Sequence, residues 1–314
     1  MAADHPVEFG IYVPQVGFTH QQIMDRVQVI ERLDYHSVWF FDHFYGPGLP
    51  DLDAYEGWTL ASWVLAATTR LRVGHLVLCS NFRHPALLAK MATSLDVLSG
   101  GRLDLGIGSG SVEIEHHQTG LPWGPFAERS ERLGETLAIL TAMFSGEPTS
   151  FEGRFYQLDG VPNRPPPVQS PRPPIHVGGM GPKHTLPLVA RYADVWNVPT
   201  YGLVRWEESQ GTLVAECEKI GRDPAEIRKS HEAVLVLTRD EASLPEAKAK
   251  ALRRYGGPGW GMEEGGYIGT PPMVVEHIAE NVEKGITLFV FFTYDRAATE
   301  TLELFAEEVM PAFA

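Results

Sequence analysis

Cysteine is scarce in this chain, and several motifs that identify common enzyme classes are missing. The 314 residues include two cysteines, Cys79 and Cys217, with no CxxC pair. A disulfide framework or a zinc ribbon is therefore not expected, and a reducing cytoplasm is the predicted location. The sequence also has no Walker loop, no GxSxG elbow and no HExxH motif. Nothing therefore supports nucleotide hydrolysis, serine hydrolase chemistry or that type of zinc site.

Long apolar runs and positive charge are also in short supply. No apolar stretch approaches the length of a bilayer, and residues 1–6 have neither a basic region nor a following apolar core, so no signal peptide is predicted. Lys plus Arg is 26 against 40 Asp plus Glu, a formal net charge of −14. Such a surface repels polyphosphate and anionic lipid, so nucleic acid and membranes are not expected partners. A small molecule is the predicted ligand.

Short apolar runs alternate with helical patterns along the chain. Eight runs are interpreted as strands: residues 9–14, 37–41, 71–78, 102–108, 174–178, 193–197, 231–237 and 286–292. Helical spacing lies between them, for example at residues 58–67, 128–144 and 273–284. Near-continuous apolar strands separated by helices are typical of a parallel sheet covered on its outside. The pattern predicts an α/β fold, a single (β/α)8 TIM barrel over residues 1–314, with an open doubly wound sheet as the alternative.

One segment interrupts this alternation. Residues 146–173, between the fourth and fifth predicted strands, are irregular and rich in proline. Because the alternation resumes afterwards, the segment is interpreted as an insertion outside the barrel and not as an interdomain linker. A small hairpin is expected around Glu152 and Gly153.

The second predicted strand is apolar until it ends in Asp42 and His43. Reacting groups of a barrel lie at the carboxyl ends of its strands and in the following loops. Histidine titrates near neutral pH and can donate or accept the proton that accompanies hydride transfer. His43 is therefore a candidate catalytic residue, and Asp42 is a candidate for orienting it or contacting a ring system. The alternative is that both side chains only bond neighbouring loop backbone.

Glycines cluster after the fifth predicted strand, at residues 178–181. They are Gly178, Gly179 and Gly181, with Met180 between them. Glycines let a ligand approach the backbone closely, and Pro182 suits the first position of a helix whose free amides attract an anion. Lys183 and His184 would then lie in the first turn. A phosphate-binding turn is expected, and a strand-to-helix turn without a ligand is the alternative.

Two further clusters follow the fourth predicted strand. Gly106, Gly108 and Ser111 are spaced like a dinucleotide fingerprint, but the third glycine is missing and the strand is not the first of a βαβ unit. Gly108 and Gly110 are expected to keep the barrel mouth clear for a flat ring, although a plain glycine turn is the alternative. Residues 113–117 resemble a metal cluster in composition, but no second ligand set is evident, so no metal is predicted. Glu113 is placed near the rim of the pocket as a candidate catalytic residue.

Several stretches together resemble a known family. They are SVWFFDH at 37–43, CSNFRHPALLAK at 79–90, LDVLSGGRL at 95–103, IHVGG at 175–179, ARYADVWN at 190–197 and LELFAEEVMP at 302–311. These resemble the luciferase-like monooxygenase superfamily, and within it the branch that uses coenzyme F420. The match runs over nearly the whole chain.

The resemblance implies a cofactor across the barrel mouth. Its phosphate would lie at the glycine turn, and its ring would pack against a non-proline cis peptide near Leu76 and Val77. The implied cofactor-binding residues are Asp42, Leu76, Val77, Cys79, Asn81, Gly108, Ser109, Gly178, Gly179, Met180, Gly181 and Trp196. Asp42 and His43 would lie near the reactive ring carbon. Ser111 stands where sugar-phosphate dehydrogenases of this branch carry a catalytic glutamate, which argues against sugar-phosphate oxidation.

The implied activity is F420-dependent hydride transfer to or from an unidentified small organic substrate. His43 would move the proton, and Glu113 is a further candidate. The alternatives are an FMN-dependent luciferase-like monooxygenase and a non-catalytic flavin-binding paralogue. The resemblance also implies a homodimer that pairs through helices containing Trp58, Trp63 and Met91.

Overall fold

The computed structural model describes residues 5–257 and 260–314. The strands in this part of the chain are β1 (Glu8–Tyr12), β2 (Ser37–Phe40), β3 (Arg72–His75), β4 (Leu78–Cys79), β5 (Leu103–Gly108), β6 (Thr149–Glu152), β7 (Gln157–Val161), β8 (Ile175–Gly178), β9 (Val195–Val198), β10 (Arg228–Leu237), β11 (Tyr267–Gly269) and β12 (Ile286–Thr293). The α-helices are α1 (His20–Arg32), α2 (Gly57–Ala67), α3 (Pro85–Ser99), α4 (Glu113–Thr119), α5 (Phe126–Phe144), α6 (Thr185–Tyr192), α7 (Trp206–Ile220), α8 (Leu244–Tyr255), α9 (Met262–Gly265), α10 (Pro271–Glu283) and α11 (Thr299–Glu308).

Eight parallel strands close into a barrel. The order around the ring is β1, β2, β3, β5, β8, β9, β10 and β12, and β12 pairs with β1. Most of these strands are buried along their whole length, as expected where helices cover the outside of a parallel sheet. The prediction of a (β/α)8 barrel is confirmed.

Several helices begin at a capping residue or at a proline in the first turn. Thr19 accepts a hydrogen bond from the amide of Gln22 and forms a capping box with it at the start of α1. Pro85 opens α3, and Thr270 precedes the proline that opens α10. Since most of these helices pack an apolar face on the barrel, the main core lies between the sheet and the helical ring.

The predicted insertion is a short antiparallel hairpin, β6 and β7, whose turn begins at Gly153. The amides of residues 154–156 donate to the carboxylate of Glu135 on α5. Farther along, the Asp96 carboxylate on α3 accepts the amides of Val168 and Gln169, and Gln169 also accepts a hydrogen bond from Arg72. The insertion is therefore fastened to the outside and the amino end of the barrel.

The structure departs from the predicted elements in several places. The third predicted strand is broken at the cis peptide Leu76–Val77, which separates β3 from β4. Helix α4, strand β11 and helix α9 were not predicted, and β10 begins at Arg228, before the predicted start. Helix α4 lacks an apolar stripe because its buried residues are Glu115 and His116. Because the buried face of this helix is polar, hydrophobic periodicity does not predict it.

The residues expected at a dimer interface lie in different surroundings. Trp58 is buried and stacks on His75 at 5.6 Å between ring centroids, whereas Trp63 is 39% exposed. Met91 is partly buried on α3. The homodimer stays a prediction.

Both cysteines are buried and free. None of the described helices combines the length and the apolar character needed to cross a membrane.

Candidate active site

A cleft of about 420 Å³ opens at the carboxyl end of the barrel. Its walls come from the segments after β2, β5 and β8, from the β3–β4 bulge, and from β9 and β10. The predicted site residues among its lining are Asp42, His43, Leu76, Val77, Cys79, Gly108, Ser109, Gly178, Gly179, Met180 and Gly181. The structure therefore brings most of the candidate residues together.

His43 is held by a carboxylate that sequence reasoning missed. Its Nδ1 lies 2.7 Å from Oε2 of Glu115, and the other oxygen of Glu115 accepts the amide of Phe44 at 2.9 Å. Glu115 is 1% exposed, so solvent barely competes for these bonds. An Nδ1–H donated to Glu115 leaves Nε2 of the neutral ring with a lone pair, which a ligand in the cleft can use.

Asp42 does not orient His43. Its two oxygens accept a bidentate pair of hydrogen bonds from Arg83 at 2.7 and 2.9 Å, and Oδ2 also accepts the amide of Cys79 at 2.9 Å. Although burial opposes it, the hydrogen bonds and charge of Asp42 raise the pKa of Arg83. Asp42 therefore ties the end of β2 to the segment after the bulge, and Arg83 neutralises its charge. The residue that orients His43 is therefore Glu115, and not Asp42 as expected.

The cis peptide Leu76–Val77 forms the predicted bulge. Val77 lies over two glycines. A Cβ atom on Gly108 would come 2.8 Å from Val77 Cγ2, and one on Gly178 would come 3.4 Å from Cγ1. Any larger residue at position 108 would displace the bulge, which is the physical reason for glycine there.

The glycine turn after β8 is shaped by its own backbone. Gly179 has φ +118°, a conformation that other residues rarely adopt. Its carbonyl accepts the indole N–H of Trp196 at 2.9 Å, and its amide donates to Asn197. Helix α6 begins at Thr185 and not at Pro182, because Thr185 and Leu186 both donate to the Gly181 carbonyl and make residues 182–184 a turn.

Three candidate residues do not line the cleft. Trp196 is fully buried behind the glycine turn and stacks on Trp206. Asn81 donates to the carbonyl of Pro122 at 3.2 Å. Glu113 faces outward on α4 and meets His117 at 3.1 Å. The structure does not bring Glu113 to the site.

Cys79 lies in the cleft wall beside a second histidine. Its Sγ is 3.6 Å from Nε2 of His116, whose Nδ1 lies 3.1 Å from the Val112 carbonyl. Burial raises the pKa of Cys79 to about 12. The thiol therefore stays neutral near pH 7 and contributes shape rather than nucleophilicity.

Two acidic residues of the cleft were missed from the sequence. Glu115 lies two residues from Glu113, and residues two apart on a helix do not share a face. Once α4 is known, the Glu113–His117 pair marks its exposed side and Glu115 the opposite one. Glu232 interrupts the buried strand β10, and a lone acid in an apolar strand is a signal that could have found it.

The family model described as luciferase-like monooxygenase matches residues 6–264. The chain belongs to this family. The prediction made from the sequence motifs is confirmed at that level.

Curated relatives of this luciferase-like protein carry F420 in their names. An F420-dependent hydroxymycolic acid dehydrogenase from Mycobacterium tuberculosis is 29% identical over 252 residues, which cover 78% of this chain and 66% of the relative. An F420-dependent glucose-6-phosphate dehydrogenase from Amycolatopsis mediterranei is 32% identical over 187 residues, 56% of this chain and 51% of the relative. The matches thus span just under two thirds and about half of these relatives.

Solved structures with the same fold extend over almost the whole chain. The F420-dependent tetrahydromethanopterin reductase from Methanopyrus kandleri is 21% identical with a TM-score of 0.78, covering 98% of this chain and 100% of that one. An F420-dependent secondary alcohol dehydrogenase, solved with an F420-acetone adduct, is 19% identical with a TM-score of 0.84, covering 98% and 99%. At these identities the likeness shows the barrel fold.

The charges around the cleft of this luciferase-like protein are mainly acidic. Among the described lining residues there is no lysine or arginine. Asp42 is neutralised from behind by Arg83, and Glu115 is paired with His43. A ligand therefore meets backbone amides, hydroxyl groups, Nε2 of His43 and one carboxyl group without a counter-charge, Glu232.

Proposed function

We propose that this protein is an F420-dependent oxidoreductase that transfers a hydride between the coenzyme and a small organic substrate. The F420-dependent relatives support the coenzyme, and the barrel supports its position. The observation that carries the proposal is the His43–Glu115 pair at the mouth of the cleft, with Nδ1 of His43 held at 2.7 Å.

The residues present fit such a coenzyme. Val77 on the bulge offers an apolar surface at the barrel mouth, and the glycines at 108 and 178 keep the space beside it open. Ser109 and Thr185 line the cleft, Thr185 directly beside the glycine turn, and both offer hydroxyl groups to a phosphate. When bound, the deazaflavin ring supplies a two-electron hydride acceptor or donor.

His43 moves the proton that accompanies the hydride. With Nδ1–H donated to Glu115, the neutral imidazole accepts a proton from a substrate hydroxyl at Nε2. In the reverse direction the imidazolium returns that proton to the substrate oxygen. Glu115 stabilises the imidazolium with its negative charge and keeps the ring in one orientation. His43 and Glu115 thus act together as a general acid–base pair.

Sugar-phosphate oxidation is not part of this proposal, although some relatives are named for it. Ser111 lies in the cleft wall at the position where the resemblance expects a glutamate. The described lining residues include no lysine or arginine that would hold a substrate phosphate.

Binding of F420 and, separately, of FMN to the purified protein tests the coenzyme. Fluorescence quenching is expected to show F420 binding in the micromolar range or tighter, about −8 kcal/mol or better. Saturable FMN binding without F420 binding, together with oxygen uptake by reduced FMN, would support the monooxygenase alternative and overturn the proposal. A folded protein that binds neither would support the non-catalytic alternative.

A further inference from the structure

One carboxyl group in the cleft has no cationic partner. Glu232 lies in the middle of β10 and lines the cleft. Among the described residues, its carboxylate accepts one hydrogen bond, from Nδ2 of Asn197 to Oε2 at 3.1 Å. This contrasts with Asp42 and Glu115, which are each paired with a cationic or protonatable side chain. Glu232 is half-buried, and a carboxylate held largely away from solvent without a counter-charge is costly, so Glu232 needs another explanation.

The neighbours of Glu232 fix which of its oxygens faces a ligand. The hydroxyl of Ser230 donates to Oδ1 of Asn197 at 2.9 Å, which orients the amide so that its nitrogen faces Glu232. Because an amide nitrogen only donates, Oε2 of Glu232 must accept. Oε1 is then the oxygen left for a ligand, and it has no hydrogen-bond partner among the described residues.

The titratable groups that share the cleft with Glu232 lie on several neighbouring elements. Tyr12 on β1 and Tyr201 in the 3-10 segment Thr200–Arg205 have pKa values raised by burial and then by the charge of Glu232, so both stay neutral. The other titratable lining residues, on the segment after β2, on β4 and on α4, are Asp42, His43, Cys79, Glu115 and His116. Burial raises the pKa of Glu232 to about 7, against the opposing hydrogen bond from Asn197.

Glu232 adjoins the surface on which a ring would pack. A Cβ atom on Gly178 would lie 3.7 Å from Nδ2 of Asn197 and 3.4 Å from Val77 Cγ1. The Asn197 amide that bonds Glu232 therefore lies beside the bulge, and the Glu232 carboxyl is next along the same wall.

We propose that Glu232 donates a hydrogen bond from Oε1–H to a carbonyl oxygen of the bound flavin-like ring. The neutral acid keeps Oε2 as the acceptor for Asn197 and turns its single donor toward the ring. This rests on the proposed function only in that a flavin-like ring must occupy the cleft. F420 and FMN both carry ring carbonyls, so the choice of coenzyme and the role of Glu232 are separate questions.

Thermal melting of the ligand-free protein tests the protonation of Glu232. A carboxyl whose pKa is raised by folding stabilises the fold below its unfolded pKa, and that stability is lost as the pH rises through the folded pKa. The wild type is therefore expected to lose melting temperature between about pH 5 and pH 8 relative to E232Q, which carries no ionisable group there. The control E283Q, an exposed carboxylate at the end of α10, should follow the wild type. A parallel profile for E232Q would overturn the proposal.

Titration with F420 and with FMN at pH 6 and pH 8 tests the donor. Glutamine donates at both pH values, and ionisation of the ligand is common to all the proteins. Whichever ring binds, wild-type affinity is expected to fall from pH 6 to pH 8 by about tenfold relative to E232Q, the size of one hydrogen bond of about 1.4 kcal/mol. An equal pH dependence in E232Q, or wild-type affinity that rises with pH, would overturn the proposal, as would binding of neither ring. Binding of FMN alone would overturn the choice of F420 and leave the role of Glu232 to be decided by the comparison with E232Q.

Discussion

Charged side chains at the two ends of the barrel differ in how fully they are paired. At the amino end, Arg72 makes a bidentate pair with Asp104 at 2.8 and 3.0 Å, and His176 lies 3.3 Å from the same carboxylate. Trp39 packs against His176 at 5.0 Å between ring centroids. At the carboxyl end, His43 keeps one ring nitrogen for a ligand, and Glu232 keeps one oxygen.

This difference separates stability from chemistry within one barrel. The charged side chains at the amino end form ion pairs with one another. They therefore hold neighbouring strands together and leave no charge available to a ligand. At the carboxyl end, His43 and Glu232 are each held by one side-chain partner, whereas Asp42 is fully paired with Arg83. The arrangement matches the general rule that barrels react at the carboxyl ends of their strands. Variants at the two ends should therefore fail in different assays.

The largest effect is expected at the carboxyl end, from His43→Ala. Loss of a general acid–base group typically slows a reaction by about 10²–10⁴-fold, so hydride transfer from a competent substrate should slow by that order. Coenzyme affinity should change little because the bulge and the glycine turn remain. Stopped-flow absorbance of the coenzyme, measured beside a melting curve, separates this result from simple unfolding. Near wild-type rates would remove His43 from the mechanism.

At the amino end, Asp104→Asn should act on stability and leave coenzyme affinity nearly unchanged. Removing one partner of a buried pair typically costs about 3–5 kcal/mol, because the other charge stays buried. Although burial opposes it, the charge of Arg72 holds the pKa of Asp104 well below its usual range. The stability that Asp104 contributes is therefore present above its unfolded pKa, about 4, and is lost as the pH falls through the folded pKa. Urea unfolding at pH 7 and pH 3 should show the gap between the proteins narrowing in acid. A constant gap would contradict this account.

Two glutamates on α4 give a smaller and better matched contrast. Glu115→Gln removes the charge that orients His43, while Glu113→Gln changes an exposed side chain on the other face. Partners that orient a functional histidine are worth about 10–100-fold in metal sites, and a loss of that order is expected for Glu115→Gln. If the two variants behaved alike, the His43–Glu115 pair would be excluded as the working unit.

The smallest effect is expected at the glycine turn. Gly179→Val should weaken coenzyme binding by about tenfold, because a branched side chain would enter the space that a ligand approaches and strain a positive-φ position. Gly160→Val is a matched control. Gly160 also has positive φ, +58°, but it lies in the β6–β7 hairpin outside the cleft. Equal affinities for the two folded variants would place the phosphate elsewhere.

Much of the fold could be predicted because its strands are apolar along their length. The eight barrel strands and the hairpin near Glu152 were predictable in this way. Helix α4 was not, because it buries Glu115 and His116, and hydrophobic periodicity does not detect polar inner faces. The break between β3 and β4 was not predictable from strand propensity, which says nothing about a cis peptide, although the family resemblance implied one at Leu76–Val77.

The position of the site could be predicted from the sequence, but the hydrogen-bond partners of its side chains could not. Strand ends identified the cleft, so Asp42, His43 and the glycine turn were placed correctly within it. Partner choice depends on side-chain direction across the barrel, which sequence spacing does not encode. Asp42 therefore pairs with Arg83, and His43 with a residue 72 positions away.

The hairpin insertion has a consequence for how such a protein can change over evolutionary time. The β6–β7 segment and the residues after it contribute no side chain to the described lining of the cleft, and they bond instead to α5, to α3 and to the amino end. Selection on substitutions in this segment acts through the stability of the fold. Selection on the loops at the opposite end also acts through ligand binding. The chain can thus acquire new surface features in residues 146–173 without altering its substrate preference, and lineages should diverge fastest in this segment.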